Sequence, residues 1–166
     1  MTAVADAYAN FQLLANAVSQ TDLGALQYCN EIGAKTLVVA AAGDLERRLY
    51  DCLTSKFSQQ PLPAHLLEFV DRRAIRRQFH TYFDWKGTNA NLFLSLFGEA
   101  KKSDIAEILR QEPYKQQVLD FLSIGRTRNE IVHSGLAEYS LNWSIDEVYK
   151  KYRNALAFVN LISLHL

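Results

Sequence analysis

Residues 126–135 read Arg-Thr-Arg-Asn-Glu-Ile-Val-His-Ser-Gly, and they bring three chemically distinct groups close together. Arg128 is a permanent cation with a fork of donors that suits phosphate. Asn129 is an amide, and His133 carries an imidazole that changes charge near neutral pH. Cutting RNA without a metal needs a base to activate the 2′-hydroxyl, an acid for the leaving oxygen, and positive charge for the crowded phosphorane. His133 suits either of the first two tasks and Arg128 the third, while Asn129 is placed to hold the scissile phosphate or to position His133. One histidine cannot be acid and base at once, so the chemistry favours two copies of the stretch facing each other in a homodimer. Arg126 is the competing choice for the arginine. The plainer reading of the same residues is a packed helix end, with His133 satisfying local carbonyls and Arg128 bridged to Glu130 or Glu46.

These groups need a helix to carry them. Apolar Ile131 and Val132 directly before the histidine read as the packed end of that helix, and Ser134-Gly135 read as its stop, with Gly135 in a left-handed cap. At about 1.5 Å and about 100° per residue, Arg128 and His133 lie roughly 7.5 Å apart along the axis and roughly 140° apart around it. They do not form an ordinary same-face pair, and the long arginine arm must swing round the helix end. A looser pair, Arg73 and His80, lacks the polar residue after the arginine.

Composition bounds the rest. A chain of 166 residues, 49% apolar and 22% charged, reads as one soluble globular domain over residues 1–166. Zero formal net charge argues against a bulk electrostatic nucleic-acid binder, so RNA contact must come from local patches. Cys29 and Cys52 are isolated thiols without metal-ligand spacing, and no His, Cys or carboxylate cluster implies a metal or other cofactor. The chain starts without the basic-then-apolar form of a signal peptide. Its longest apolar stretch, 155–166, is interrupted by Asn160, Ser163 and His165 and is too short to span a bilayer. The expectation is a cytoplasmic protein with no membrane partner.

Only three prolines and seven glycines punctuate the chain, and strand-like alternation is absent, so the predicted class is all-α. The periodicity predicts helices over 4–26, 35–57, 64–83, 91–97 and 101–112, then a long motif helix opened by Pro113. A connection is expected at 30–33. The last helix begins at Ser144, where Ser-Ile-Asp-Glu makes a capping box. The helix over 35–57 starts almost wholly apolar and is the expected buried centre. Within it Glu46 is read either as a solvated carboxylate pairing with Arg47, Arg48 or Tyr50, or as an interior carboxylate that orients the motif arginine. The helix over 64–83 carries Arg72, Arg73, Arg76 and Arg77 on one side. That stripe is either a solvated face paired with Glu68 or Asp71, or a phosphate track with Phe79, Tyr82 or Trp85 available to stack on a base. His80 reads as a plain packed or surface histidine.

Three pieces occur in a recognisable order: the helix with Glu46, the asparagine-rich turn 84–92 followed by Phe97-Gly98, and the RNxxxH end of the motif helix. Together they resemble the HEPN superfamily, and the turn with its Phe-Gly helix end resembles the RiboL-PSP-HEPN branch. The resemblance covers the chain from about residue 35 to the final helix. It implies an all-α up-and-down bundle with additional short helices. It also implies an endoribonuclease of the toxin or phage-defence type, with Arg128, Asn129, His133 and Glu46 as catalytic residues. The expected RNA-contacting residues are Arg72, Arg73, Arg76, Arg77 and Arg126, and the expected partners are a second copy and an antitoxin or other protein. The alternative it leaves open is a catalytically silent HEPN module that binds RNA, a nucleotide or a partner protein. One departure is plain. HEPN toxins paired with nucleotidyltransferases carry a tyrosine two residues after the histidine, and that position is Gly135 here, so control through that tyrosine does not carry over.

Overall fold

The computed structural model describes residues 2–20, 22–76 and 78–166. Among the described residues seven α-helices make the frame: α1 Ala3–Ser19, α2 Leu23–Ser58, α3 Ala64–Val70, α4 Asn91–Ser95, α5 Glu99–Leu109, α6 Tyr114–Ser134 and α7 Ile145–His165. No strand occurs among the described residues. Four of these helices form an up-and-down bundle. Gly33 of α2 lies against Ile145 and Asp44 of α2 against Tyr152, so α2 and α7 run in the same sense. The hairpin partner of α2 is α1, and that of α7 is α6. The three short helices interrupt the long crossover from α2 to α6.

The first hairpin differs from expectation. The chain does not break at 30–33; α2 runs unbroken through it, and the first helix instead ends at Ser19 before α2 begins at Leu23. Asp22 sets the new start, because its carboxylate accepts the free N–H groups of Gly24 and Ala25. Gly33 is there for space. A Cβ at that position would come within 2.9 Å of Ile145 and 3.0 Å of Phe11, so the glycine lets three helices meet.

The expected helix over 64–83 is also corrected. It stops being α-helical at Val70, continues as a π-turn over Asp71–Ile75, breaks, and resumes as a 3₁₀ turn over Phe79–Thr81. The Arg76 N–H reaches back five residues to Asp71 O at 2.7 Å, and the Tyr82 hydroxyl is drawn onto Ala74 O. Leu66 and Phe69, expected inside, stand exposed, while Ile75 and Phe83 are buried. The other local signals hold. Pro63 and Pro113 sit at the helix starts, and Ser144 and Glu147 make both bonds of the capping box. Gly135 closes α6 at φ 89° and ψ 142°, so it leaves the helix extended rather than in the fully left-handed cap.

Two features pin the crossover and the bundle together. The indole of Trp85 rests on Gly125 of α6, where an added Cβ would meet the ring at 2.0 Å. The same indole donates to His80 O at 3.0 Å and joins Phe79, Phe83 and Phe121 in one aromatic cluster. Inside the bundle, Asp44 accepts from Tyr152 at 2.7 Å, Arg48 at 2.6 Å and Arg47 at 3.2 Å. Asp120 on α6 accepts from Lys151 at 2.8 Å, Asn154 at 2.7 Å and Gln116 at 3.1 Å. Both carboxylates are buried, and each is satisfied several times over.

Two stability predictions follow from these contacts. Gly125→Ala forces a methyl into the Trp85 ring and should cost about 1–3 kcal/mol in urea unfolding. Gly43→Ala, at a helical position where a Cβ meets nothing within 4 Å, should instead stabilise by about 0.5–1 kcal/mol. Equal effects of the two changes would remove the Trp85 contact as the reason for Gly125. The acid limb tests Asp44. Burial works against its charge, but the hydrogen bonds from Arg48, Tyr152 and Arg47 more than offset that, holding its carboxyl below the ordinary range. A carboxyl lowered on folding stabilises fully above its unfolded value of about 3.9 and loses that contribution as pH falls through the folded value. Asp44→Asn should therefore lower stability at neutral pH by about 1.5–3 kcal/mol and flatten its fall toward acid. An unchanged slope in denaturation at low pH would show that Asp44 does not carry it.

Candidate active site

The last three turns of α6 present the motif. Ile124, Thr127 and Ile131 are buried against the bundle, which sets the outward directions of their neighbours. Arg128 and Asn129 are half-buried, and Arg126 and His133 are exposed. Arg128 donates from Nη1 to Asn129 Oδ1 at 3.1 Å, so cation and amide lie side by side at the helix end. Neither Arg128 nor His133 has an acidic partner among the described residues.

The neighbouring arginine is placed differently. Arg126 Nε lies 3.9 Å from Glu130 Oε1, and Glu130 Oε2 accepts from the Tyr139 hydroxyl at 2.7 Å. Burial, followed by the hydrogen bond to Glu130, pushes the Tyr139 phenol above its ordinary value. The link after α6 thus folds back and takes the one acid on the motif that either arginine can reach within its own helix. Arg126 shares that acid and Arg128 does not.

Glu46 lies apart from this group. It makes no hydrogen bond or ion pair among the described residues, whereas Arg128 bonds to Asn129, so no ion pair joins Glu46 to the motif arginine. Nor does Glu46 pair with Arg47, Arg48 or Tyr50. Asp44 takes both arginines, and Tyr50 donates to Asp71 at 2.8 Å. Asp44, Asp120, Tyr139 and Tyr152 are the polar residues that sequence reading missed. Asp120 had one visible signal, a lone acid within the apolar run from Val118 to Ile124. Asp44 had another, its spacing of three and four residues from Arg47 and Arg48.

The basic stripe is partly spent on internal pairs. Arg72 bonds Glu68 at 2.5 Å, and Arg76 bonds Asp71 at 2.6 Å while lying over the Tyr50 ring. Arg73 is exposed without an ion pair among the described residues, and Arg77 lies outside them. The π-turn and the extended backbone of Arg76 also end the straight helical face on which four arginines were expected to line up. No group of three or more His, Cys, Asp or Glu side chains that could hold a metal ion occurs among the described residues, and no helix there is long and apolar enough to cross a membrane.

The RiboL-PSP-HEPN family model matches residues 28–166. No curated protein and no solved structure matches the chain. Since that match runs from the first turns of α2 through α7 and takes in the asparagine-rich turn and the whole motif, the chain belongs to the RiboL-PSP-HEPN family.

Proposed function

We propose that this chain is a metal-independent endoribonuclease whose active site forms where the motif ends of two copies face each other across a two-fold axis. HEPN domains are commonly ribonucleases. The observation that carries the reading is the half-buried Arg128, a cation held beside an amide with no carboxylate to neutralise it, on the same helix end as the exposed His133. A buried arginine that serves only structure is normally paired. This one is left for an anion, and a phosphate fits its planar fork.

In the reaction, the imidazole of one His133 takes the proton from the 2′-hydroxyl, and the 2′-oxygen attacks the adjacent phosphorus. The two Arg128 guanidiniums balance the charge that builds on the phosphorane. The bond from phosphorus to the 5′-oxygen breaks, and the second His133, protonated, delivers its proton to that oxygen. The products are a 2′,3′-cyclic phosphate and a 5′-hydroxyl end. Asn129 holds the non-bridging oxygen or the ring of His133. Arg73 and Arg126 contribute local positive charge along the RNA. An enzyme of this kind acts as a toxin or phage-defence effector that an antitoxin or partner protein restrains.

The flanks of His133 support the dimer. Val132 is 60% exposed and Leu136 42% exposed, so an apolar strip brackets the histidine and stands uncovered by the described residues. Isologous packing on that strip brings two histidines together. Sedimentation at micromolar concentration should give a dimer, and Val132→Asp should give a folded monomer without activity. A wild-type protein that stays monomeric sinks the composite site.

The chemistry is tested separately. Single-stranded RNA should be cut in EDTA, leaving cyclic phosphate ends, and DNA should stay intact for want of the 2′-hydroxyl. His133→Ala should lower the rate about 10²- to 10⁴-fold, Arg128→Ala comparably, and Arg126→Ala less. Products ending in 5′-phosphate would exclude 2′-oxygen attack. Full activity in His133→Ala would leave a silent binding module.

A further inference from the structure

Between α2 and the segment that follows α3 lies a cavity of about 300 Å³, lined among others by Gly43, Glu46, Arg47, Tyr50, Phe79 and Tyr82. That volume is at the lower end of the range of small-ligand sites, about 300–1,000 Å³. Its single unpaired acid is Glu46, half-buried and without a hydrogen bond or ion pair among the described residues. Every other polar group on the wall has a partner. Arg47 bonds Asp44, Tyr50 donates to Asp71 with Arg76 over its ring, and the Tyr82 hydroxyl is held by Ala74 O. Phe79 is fixed edge-on against Phe83 and Phe121. The walls are largely aromatic, and one carboxylate is left for donors that must come from outside. At Gly43 the helix carries no side chain although nothing lies within 4 Å of where a Cβ would stand, so this side of the cavity stays open.

The occupant that matches is flat, has apolar faces and presents two adjacent donors to one carboxylate. Guanine does so with its N1–H and 2-amino group. Adenine and cytosine each set one amino group beside a ring acceptor, and uracil flanks its single N–H with two carbonyl oxygens that a carboxylate repels. The position also fits. Phe79 touches Phe121, whose ring centroid lies 6.3 Å away. Phe121 and Arg128 are seven residues apart on α6, two turns and roughly 10.5 Å along one face, which is within reach of a neighbouring nucleotide. Arg47, largely exposed and held to Asp44 by a single 3.2 Å bond, is placed to meet the phosphate of that nucleotide.

We infer that this cavity is a base pocket for guanine, read by Glu46 through its two donors, and that it directs cleavage to unpaired RNA next to guanosine. The inference rests on the ribonuclease reading for its consequence, but not for its test. Calorimetric titration of the wild-type protein with the four nucleoside 5′-monophosphates should give a guanosine 5′-monophosphate affinity at least about tenfold above the other three. Glu46→Gln should lower that affinity roughly 10- to 100-fold, the discrimination carried by one bidentate pair. Gly43→Leu should do likewise by filling the space, with folding retained because leucine is the better helix former and meets no neighbour. Glu107→Gln, on the exposed side of α5, should change nothing. Equal affinity for all four nucleotides, no binding of any, or guanosine 5′-monophosphate binding that survives both pocket variants would overturn the assignment. Selective binding by a protein that cuts no RNA would keep the pocket and remove the enzyme. Cleavage without base preference, in a protein that shows no nucleotide selectivity, would do the reverse.

Discussion

The contact on which the rest depends is the seat of Trp85 on Gly125. The ring occupies the volume that any side chain at position 125 of α6 would need, so only a glycine there lets the indole lie against the helix backbone. Through that contact the long crossover between α2 and α6 is fastened one turn before the motif rather than left to hang from its ends. The aromatic cluster spreads the constraint. Phe121 stacks on Trp85 and packs onto Phe158 of α7, while Phe83 reaches Phe93 of α4. The asparagine-rich turn, the cavity beside Glu46 and the motif helix are therefore joined by one aromatic cluster of Phe79, Phe83, Trp85 and Phe121.

Charge is divided with similar economy. Lysines and arginines balance aspartates and glutamates overall, yet the pairing is uneven. Asp44 engages Arg47 and Arg48, Asp120 engages Lys151, and Asp71 and Glu68 hold Arg76 and Arg72. Lys151 also lies over the Trp143 ring, which ties the link before α7 into the same network. Asp44 and Asp120 lie where burial would be unfavourable without donors, and Tyr152, Lys151 and Asn154 of α7 supply part of them from across the bundle. Among the groups left without an ion pair in the described residues are Arg128 and His133 at one end of α6 and the Glu46 carboxylate in its cavity. A neutral chain can in this way keep a local cation for phosphate without a strongly basic surface, because its acids balance its other positive charges overall.

Much of the frame was readable from local signals because those signals act locally. The capping box at Ser144 closes within four residues, Pro63 and Pro113 lack the N–H that a helix start leaves unused, and Gly98 and Gly135 take positive φ where side chains would strain. The all-helical class, the order of the bundle and the motif on a helix end came from periodicity and from the family resemblance. Two of these local readings failed, for reasons that helical periodicity does not carry. The glycine at position 33 looked like a link, but it serves the approach of Phe11 and Ile145 from other helices. The helix over 64–83 looked continuous, but Tyr82 pulls on the Ala74 carbonyl and opens it.

The sequence alone thus determined which residues are able to do chemistry: an arginine, an amide and a histidine on one helix end, with an acid in an earlier helix. Only the tertiary structure decided which of them are free to do it. Arg128 stands five residues before His133 and Arg126 seven, and the fold separates them further: Glu130, which accepts from Tyr139 of the link after α6, lies 3.9 Å from Arg126, while Arg128 bonds Asn129. Glu46 and Asp44 are likewise two carboxylates two residues apart. On a helix that distance turns them roughly 200° away from each other, so one faces Tyr152 in the bundle and the other opens into the cavity. A side chain's partner is set by the elements folded against it, and those elements lie tens of residues away along the chain.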